Sequence, residues 1–387
     1  MEKYSRHKDV ATSINPFVPP AESVCFPTRL TTVAWVARLV PAAVRFMLFF
    51  LCVCLIEVVI AFDEGCVPLH LHYVTRPLLY RPLMMLLTRV ALWLGASTAV
   101  ATHFFPNARA ASGNRDDVSA PWPPQPGDAI ICNLQSPLDV LVLLGLSTSQ
   151  PLTFVFPNDD GSAAGTQSQL RSFRSVVRAM NFVCRIADCR GKRKSNGAAS
   201  AESGYDLSFR QRACRDRAAT AMVFFPEETT TNGRGMLRFC LFRVDPSPSV
   251  PSSQYSRTAG SNELPLVAAL SYSLSSTGGE SGCYCAVIPP TGSQCWSVLW
   301  NGILRCSLNV ARCRVRADVA VVRPSHLGVS LDPLPTQAFS PSFIDGLRQK
   351  MAAAAAHWRV VAYPCHPLQL SAATNKAEFL DQWDQYQ

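Results

Sequence analysis

The pattern of apolar and polar positions makes the N-terminal part of the chain more apolar than the rest. Residues 46–56 carry no charge, and the apolar character continues to residue 62 with one interruption at Glu57. A membrane crossing needs about 20 apolar residues. The pattern therefore predicts a membrane-associated helix within residues 30–62: a tilted span, a re-entrant hairpin with residues 30–44, or a buried helix. Basic residues before the run favour a cytosolic N-terminus if the helix spans: Arg29, Arg38 and Arg45.

A second apolar segment covers residues 78–102 and contains Arg81 and Arg89. These charges argue against a crossing, so we expect an amphipathic helix in the headgroup plane with its arginines towards lipid phosphates. A core helix of the following domain is an equally good interpretation. The Pro-rich and polar residues 106–127 then predict a linker, because that composition forms neither a helix nor a central strand.

From residue 128 onwards, short apolar runs alternate with longer amphipathic ones. This alternation predicts an α/β fold, a mixed sheet flanked by helices, with membrane-embedded helices before it. The predicted strands cover residues 129–132, 152–156, 182–186, 221–225, 263–270 and 314–322. The predicted helices cover residues 140–146, 169–180, 209–220, 296–311 and 341–356.

The predicted domain organisation follows from these patterns. It comprises a polar segment 1–29, membrane-associated helices 30–105, the linker 106–127, an α/β domain 128–330 and a helical tail 331–387. No internal repeat is visible in the sequence, so we expect no repeat architecture.

Composition narrows the classes of partner and cofactor. The chain of 387 residues has 48% hydrophobic residues and a formal net charge of +9. The positive charge favours anionic partners such as lipid headgroups and phosphorylated substrates. Nucleic acid is not expected, because basic and aromatic residues do not interleave as they do in RNA-binding proteins. The 15 cysteines are irregularly spaced without a C-x-x-C pair, which argues against a zinc site and favours reduced thiols in a cytosol-facing protein.

The most distinctive polar segment follows the predicted strand at residues 221–225. A proline and a glutamate end the apolar run, and three threonines and the sequence Asn-Gly-Arg-Gly come next. Ligands bind at the ends of strands in α/β sheets, and hydroxyls, backbone N–H groups and a guanidinium suit a phosphate. The segment therefore predicts a phosphate site, with a plain hairpin turn as the alternative. The candidate residues are Thr229, Thr231, Gly233 and Arg234.

Another polar segment, residues 133–139, lies between a predicted strand and a predicted helix. Ser136 is the predicted N-cap, Pro137 the first helical residue and Asp139 the acidic partner of a capping box. An aspartate at this position stabilises a helix whether or not it takes part in catalysis. A structural role and a catalytic role for Asp139 therefore both stay open.

Residues 225–235, F-P-E-E-T-T-T-N-G-R-G, resemble the third motif of the glycerolipid acyltransferases, with Glu228 where that family has glycine. Asn133 and Asp139 match the family's first motif, N-H-x-x-x-x-D, but Leu134 stands in place of the histidine. These residues carry the resemblance at the candidate site.

Further segments extend the resemblance along the chain. Residues 263–270 match the fourth motif, and residues 185–190 lie where the family has its second motif. The opening residues, 1–5 and 14–17, and the tail 376–383 are similar to the fungal-type lysophosphatidate:oleoyl-CoA acyltransferase branch.

The resemblance implies acyl transfer from acyl-CoA, a co-substrate, to the sn-2 hydroxyl of 1-acyl-glycerol 3-phosphate (lysophosphatidate), with phosphatidate as product. It implies that Arg234 and the hydroxyls of Thr229 and Thr231 hold the phosphate. The further substrate-binding candidates are Asn133, Ser136, Gly233 and Arg190. No metal and no cofactor is needed for this chemistry. The implied location is a membrane, the endoplasmic reticulum or a lipid droplet, with the catalytic domain in the cytosol.

The substitution at Leu134 bears directly on this activity, because leucine cannot accept a proton. The family's histidine acts as general base, a contribution worth roughly a hundred- to ten-thousand-fold. Asp139 and Glu227 are the catalytic candidates, and the first choice for a replacement base is Glu227 or its neighbour Glu228, since both lie in the loop expected to face Asp139. The alternative is a catalytically impaired protein of the same fold that binds lysophospholipid or acts as a scaffold in lipid synthesis.

Overall fold

The computed structural model describes residues 7–9, 13, 15–18, 32–65, 72–96, 99–104, 124, 129–147, 151–157, 170–187, 205–206, 220–227, 229–232, 235–237, 242–243, 266–274, 295–308, 315–322, 348–349, 366–367 and 376–384. The predicted linker 106–127 and the predicted helix 209–220 lie outside these residues, apart from one position each. Of the predicted helix 341–356, only residues 348–349 are described, and they are helical.

A single helix of 34 residues contains the first apolar run. This helix, α1 (Thr32–Gly65), passes through Pro41 without a break, so the re-entrant hairpin considered above is wrong. The other helices are α2 (His72–Thr75), a π-helical turn (Arg76–Tyr80), α3 (Arg81–Ala96), α4 (Leu138–Leu146), α5 (Val176–Ala187), α6 (Cys295–Leu308) and α7 (Ala377–Asp384).

The strands are β1 (Ala99–Phe104), β2 (Ala129–Cys132), β3 (Leu152–Pro157), β4 (Leu170–Phe173), β5 (Tyr205–Asp206), β6 (Ala221–Phe224), β7 (Gly235–Met236), β8 (Phe242–Arg243), β9 (Leu266–Leu274), β10 (Val315–Val322) and β11 (His366–Pro367). Seven of the described strands form one sheet in the order β1-β10-β9-β2-β6-β3-β4. Strands β9, β2, β6 and β3 are parallel to one another, whereas β10–β9 and β3–β4 are antiparallel pairs. The predicted mixed sheet with accompanying helices is therefore confirmed.

The second apolar segment divides between a helix and a strand. Helix α3 ends at Ala96, and β1 then pairs in parallel with β10 at the edge of the sheet. Residues 99–102 thus belong to the sheet rather than to a membrane-surface helix. The sheet also begins before residue 128, where the sequence predicts the start of the α/β domain.

The region around residues 170–187 has the opposite order of elements to the predicted one. The predicted helix 169–180 and strand 182–186 are wrong, because strand β4 comes first and helix α5 follows. Ser175 explains where the helix begins, since its hydroxyl accepts a hydrogen bond from the N–H of Arg178 at 3.2 Å, an N-cap contact. Phe173 on β4 and Phe182 on α5 both pack against Phe156 of β3.

The N-terminal helices and the α/β region share one apolar core. The side chains of Phe49 and Ile56 on α1 and of Leu92 on α3 belong to the same buried cluster as Leu141 on α4 and Phe154 on β3. Helix α1 packs against α3, α5 and α6, and α3 packs against α4. The helices that the sequence assigns to the membrane are therefore also structural parts of the α/β domain.

Candidate functional site

The segment that follows β2 is held in place by its own side-chain amides. The Asn133 side chain accepts a hydrogen bond from the N–H of Leu270 at 2.7 Å and donates one to the carbonyl of Leu270 at 3.1 Å. The Gln135 amide donates to the same carbonyl at 2.7 Å. These bonds extend the pairing of β2 with β9 beyond the end of β2. Asn133 thus contacts backbone rather than standing free for a ligand.

The turn before α4 has one of the two hydrogen bonds of a capping box, the bond from the N–H of Ser136 to Asp139, while the Ser136 hydroxyl accepts from the residue two positions on instead of three. Ser136 Oγ accepts from the N–H of Leu138 at 3.1 Å, and Asp139 Oδ2 accepts from the N–H of Ser136 at 3.0 Å. Asp139 Oδ2 also accepts from the N–H of Gln135 at 2.6 Å, and Asp139 Oδ1 accepts from the hydroxyl of Tyr272. The helix itself begins at Leu138 with Pro137 as its N-cap, so the predicted N-cap Ser136 and the predicted first helical residue Pro137 are each one position too early. Asp139 therefore organises the turn, which is its structural role.

Leu134 joins the turn to the polar segment after β6. Its N–H donates to Glu227 Oε2 at 3.0 Å, and its carbonyl accepts from the N–H of Thr231 at 3.1 Å. The other oxygen of Glu227, Oε1, accepts from the N–H of Leu237 at 3.0 Å. The side chains of Leu134 and Glu227 are fully buried. The two candidate segments, distant in sequence, therefore lie against each other.

Burial shifts the proton affinity of both carboxyl groups. Removal from water raises the pKa of Glu227 to about 8, although hydrogen bonds from the N–H groups of Leu134 and Leu237 act in the opposite direction. The same cause raises the pKa of Asp139 to about 6, against the hydrogen bonds that it accepts. At neutral pH, Asp139 is mostly ionised and Glu227 mostly protonated.

These pKa values predict a pH dependence of stability. The native state binds the two protons more tightly than the unfolded state, in which the carboxyls have ordinary values of 3.8 and 4.5. The contribution of these two groups to the free energy of unfolding is therefore largest below about pH 4. It falls as the pH rises to 8, by up to about 1.4 kcal/mol per pH unit for each group that the native state keeps protonated. Between pH 6 and pH 8, Glu227 alone contributes.

Urea unfolding of the detergent-solubilised protein at pH 5, 6, 7 and 8 measures this dependence. Glu227→Gln should remove the part of the slope between pH 6 and pH 8, because glutamine does not titrate. Equal slopes for the wild type and the variant would show that Glu227 does not carry the raised pKa.

A lysine from the C-terminal region binds the threonine cluster. Lys376 is fully buried, and its Nζ donates to Thr229 Oγ1 at 2.8 Å, to Thr230 Oγ1 at 3.0 Å and to the Thr230 carbonyl at 3.0 Å. The hydroxyl of Thr229 donates in turn to the carbonyl of Ile186 at 3.1 Å. The three threonines, Thr229 to Thr231, are buried. In this conformation they stabilise the loop instead of presenting hydroxyls at the surface.

Both ends of the described chain meet at this loop. The side-chain amide of Asn232 donates to the carbonyls of Asn15 and Val18, each at 2.9 Å, and its backbone N–H donates to the carbonyl of Pro16 at 2.9 Å. Buried Phe17 packs against Phe379 of α7, with ring centroids 5.8 Å apart. The opening segment and the tail also resemble the acyltransferase branch. Both therefore lie next to the polar loop at residues 229–232.

A second contact joins the two ends. The ring of His7 lies edge-on to Phe379, with centroids 5.6 Å apart, and its Nε2 is hydrogen-bonded to Gln382 Oε1 at 2.8 Å. Residues at the start and the end of the sequence thus support each other as well as the loop.

Some predicted site residues lie outside the described residues: Arg190, Glu228, Gly233 and Arg234. The predicted phosphate contacts of Arg190, Gly233 and Arg234 therefore stay predictions. Within the described ranges, no group of three or more His, Cys, Asp or Glu side chains is arranged to hold a metal ion.

Sequence reasoning missed the roles of Lys376 and Tyr272. Nothing in the neighbouring residues indicates that a lone lysine in a tail bonds to the threonines, or that a tyrosine in an apolar strand bonds to Asp139. For Lys376, the only indication is that it opens the tail segment that resembles the acyltransferase branch.

Compared with family models, with curated proteins and with solved structures, the chain has no significant match.

Proposed function

We propose that the chain is a membrane-seated protein of the glycerolipid acyltransferase type. It would transfer an acyl group from acyl-CoA to the sn-2 hydroxyl of 1-acyl-glycerol 3-phosphate or a related lysophospholipid, on an endomembrane such as the endoplasmic reticulum or the lipid-droplet surface. One observation supports this proposal most. Glu227 and Thr231 of the third-motif segment bond to both backbone groups of Leu134, in the first-motif segment.

The convergence of the chain ends supports the same proposal. Four segments with a resemblance to one family, near residues 15, 134, 229 and 376, are separated from one another by about 90 residues or more. Hydrogen bonds join all of them around one loop. Chance matches in unrelated parts of a chain have no reason to meet in the folded protein.

The proposed reaction places definite demands on the site. The acceptor oxygen forms a bond to the thioester carbon, the bond from that carbon to sulfur breaks, the hydroxyl proton passes to a base, and the CoA thiolate leaves. Leu134 cannot be that base. An ionised carboxyl with a raised pKa is a stronger base than an ordinary carboxylate, and among the described residues of the two segments the carboxyls are those of Glu227 and Asp139. Both are fully buried, so a substrate hydroxyl reaches either of them only if the loop moves.

A second candidate function is binding of a lysophospholipid without turnover. The burial of Leu134, together with the backbone hydrogen bonds that occupy both oxygens of Glu227, favours it. The two functions share the anionic ligand and differ in whether the thioester is consumed.

Purified protein with radiolabelled oleoyl-CoA and lysophosphatidate distinguishes the two functions. For an enzyme, labelled phosphatidate forms, and Arg234→Ala lowers kcat/KM about 10- to 100-fold, since a charge-assisted hydrogen bond contributes roughly 1.5–3 kcal/mol. The matched control is Arg178→Ala, which removes an exposed arginine from α5 and should leave the rate unchanged.

Lysophosphatidate binding that Arg234→Ala weakens, with no labelled product, supports the second function. If the protein forms no labelled product and also binds no lysophosphatidate, both proposals are contradicted.

A further inference from the structure

The described residues at the two ends of the chain form one layer over the polar loop at residues 229–232. Asn232 bonds to the N-terminal part of this layer through its side chain and its backbone. Lys376 bonds from the tail to the hydroxyls of Thr229 and Thr230. This layer, here called the end cover, consists of residues 7–9, 13, 15–18 and 376–384. The side chains of the loop residues beneath it are buried, so the end cover closes this side of the loop.

The two halves of the end cover hold each other. The ring of Phe379 contacts the rings of both Phe17 and His7. His7 is buried, and its ring is also hydrogen-bonded to Gln382 at 2.8 Å. Aromatic contacts of this kind stabilise a structure beyond the area that they bury. Because each half bonds both to the loop and to the other half, we expect the two halves to detach together.

The loop beneath the end cover leads directly to the buried carboxyl of Glu227. The N–H of Thr231 donates to the carbonyl of Leu134, and the N–H of Leu134 donates to Glu227. The loop is thus fixed between the end cover on one side and the turn at residues 133–139 on the other. A substrate reaches Glu227 or Asp139 only if the loop moves. Terminal segments open at a lower free energy than the strands of a sheet, so the side of the end cover is where the loop is released most readily.

The N-terminal half of the end cover contains a strained turn. Ser13 has a φ of 56°, in the left-handed region that residues other than glycine rarely adopt. Its N–H donates to the carbonyl of Asp9 at 2.8 Å, and the Asn15 side chain accepts from the N–H of Phe17 at 2.9 Å. Such strain persists only where surrounding contacts fix the backbone, and it is found at switch regions. Detachment relieves the strain and so partly offsets the contacts that are lost.

We propose that the end cover is an autoinhibitory lid. In the conformation described here it closes the site; it detaches as one unit, the polar loop then moves away from Leu134, and the anionic lysophospholipid enters. The identity of this ligand rests on the proposed function. A ligand that binds only the detached state has an apparent affinity equal to its intrinsic affinity multiplied by the fraction of detached protein. Weakening the lid must therefore strengthen binding, whereas weakening a purely structural support would weaken it.

His7→Ala tests the sign of this effect, because it removes contacts within the end cover and changes no residue of the loop. Binding is measured by calorimetry on the full-length protein in detergent, since Leu39–Gly65 and Arg76–Gly95 are, by length and composition, apolar enough to cross a membrane. We expect the dissociation constant of a short-chain lysophosphatidate to fall roughly 2- to 10-fold, the factor that corresponds to one hydrogen bond. The matched control is Lys8→Ala at the neighbouring exposed position, which should leave the constant unchanged. A weaker or unchanged affinity in His7→Ala, or an equal gain in the control, would overturn the proposal.

Hydrogen–deuterium exchange tests the detachment without any ligand. In His7→Ala, we expect peptides from the tail and from the loop at residues 229–232 to exchange faster by the same factor, while those of β6 exchange as in the wild type. Faster exchange in the tail alone would show that the end cover does not release the loop. Equal acceleration in β6 would show that the variant unfolds as a whole. Either result would overturn the proposal.

Gln382→Ala removes the same hydrogen bond from the other half of the end cover, so it should reproduce both results if His7→Ala does not fold. Absence of lysophosphatidate binding in the wild type and in both variants would contradict the proposed function. The exchange measurement would then decide by itself whether the end cover detaches together with the loop.

Discussion

Replacing Glu227 by glutamine is expected to lower the free energy of unfolding by about 1–3 kcal/mol at pH 6. Both carboxyl oxygens accept a backbone N–H, from Leu134 and from Leu237. Glutamine has the same shape but only one oxygen, so its NH2 group faces one of those N–H groups. A buried donor that faces another donor loses its hydrogen bond and gains nothing from water.

Charge does not explain this expected loss. At pH 6, Glu227 is already protonated, because its pKa is about 8. The substitution therefore exchanges one neutral group for another. Between about pH 4.5 and pH 8, the wild type loses stability as the pH rises because its unfolded state releases the Glu227 proton, whereas the variant does not titrate, so the difference between them should shrink over this range and stay constant above it.

Glu64→Gln is the matched control for Glu227→Gln. Glu64 makes an ion pair with Arg174, but both side chains are about 40% exposed, and exposed pairs contribute little. We expect the control to change stability by less than about 0.5 kcal/mol. Urea unfolding in the same detergent measures both variants. An equal change in the two proteins would contradict the role of Glu227 as a two-sided acceptor.

Replacing Lys376 by methionine is expected to cost about 1–3 kcal/mol and to loosen the threonine loop. The Nζ of Lys376 makes three hydrogen bonds to Thr229 and Thr230, inside a region from which water is excluded. Methionine fills a similar volume without a donor. The carbonyl of Thr230 then loses a buried partner, which the hydroxyls cannot replace by rotating. The N–H of Thr231, which holds Leu134, should exchange with solvent deuterium faster than in the wild type.

Lys8→Met makes the same chemical change at an exposed lysine in the opening segment. It should leave both stability and the exchange of the Thr231 amide unchanged. A buried charge replaced by an apolar side chain is sometimes neutral or stabilising. That result for Lys376→Met, with unchanged exchange at Thr231, would show that the loop does not depend on this lysine.

Five of the seven strands of the sheet were predictable, because their signal is local. Apolar runs of four to six residues that end in turn-forming residues predicted β2, β3 and β6 to within one residue at either end. The start of α4 was predictable to within one residue for the same reason, since Ser136, Pro137 and Asp139 act on their immediate neighbours.

The elements around residues 170–187 were not predictable in this way. Residues of β4 and α5 are amphipathic in either conformation, and pairing of β4 with β3 decides between them. Likewise, β1 looks like the end of an apolar helix until β10 provides a partner for it. The sequence of a strand does not indicate which distant strand it pairs with.

Local sequence alone determined the two apolar segments, five of the seven strands of the main sheet, the turn at residues 133–139 and the polar loop after β6, because each depends on neighbouring residues and on periodicity. Tertiary structure alone decided that Leu134 contacts the polar segment after β6, that Lys376 and Asn15 bond to that segment, and that α1 lies along the domain. Those relations join residues about 90 to 260 positions apart. They arise from the desolvation and pairing of polar groups in the folded core, which no local pattern specifies.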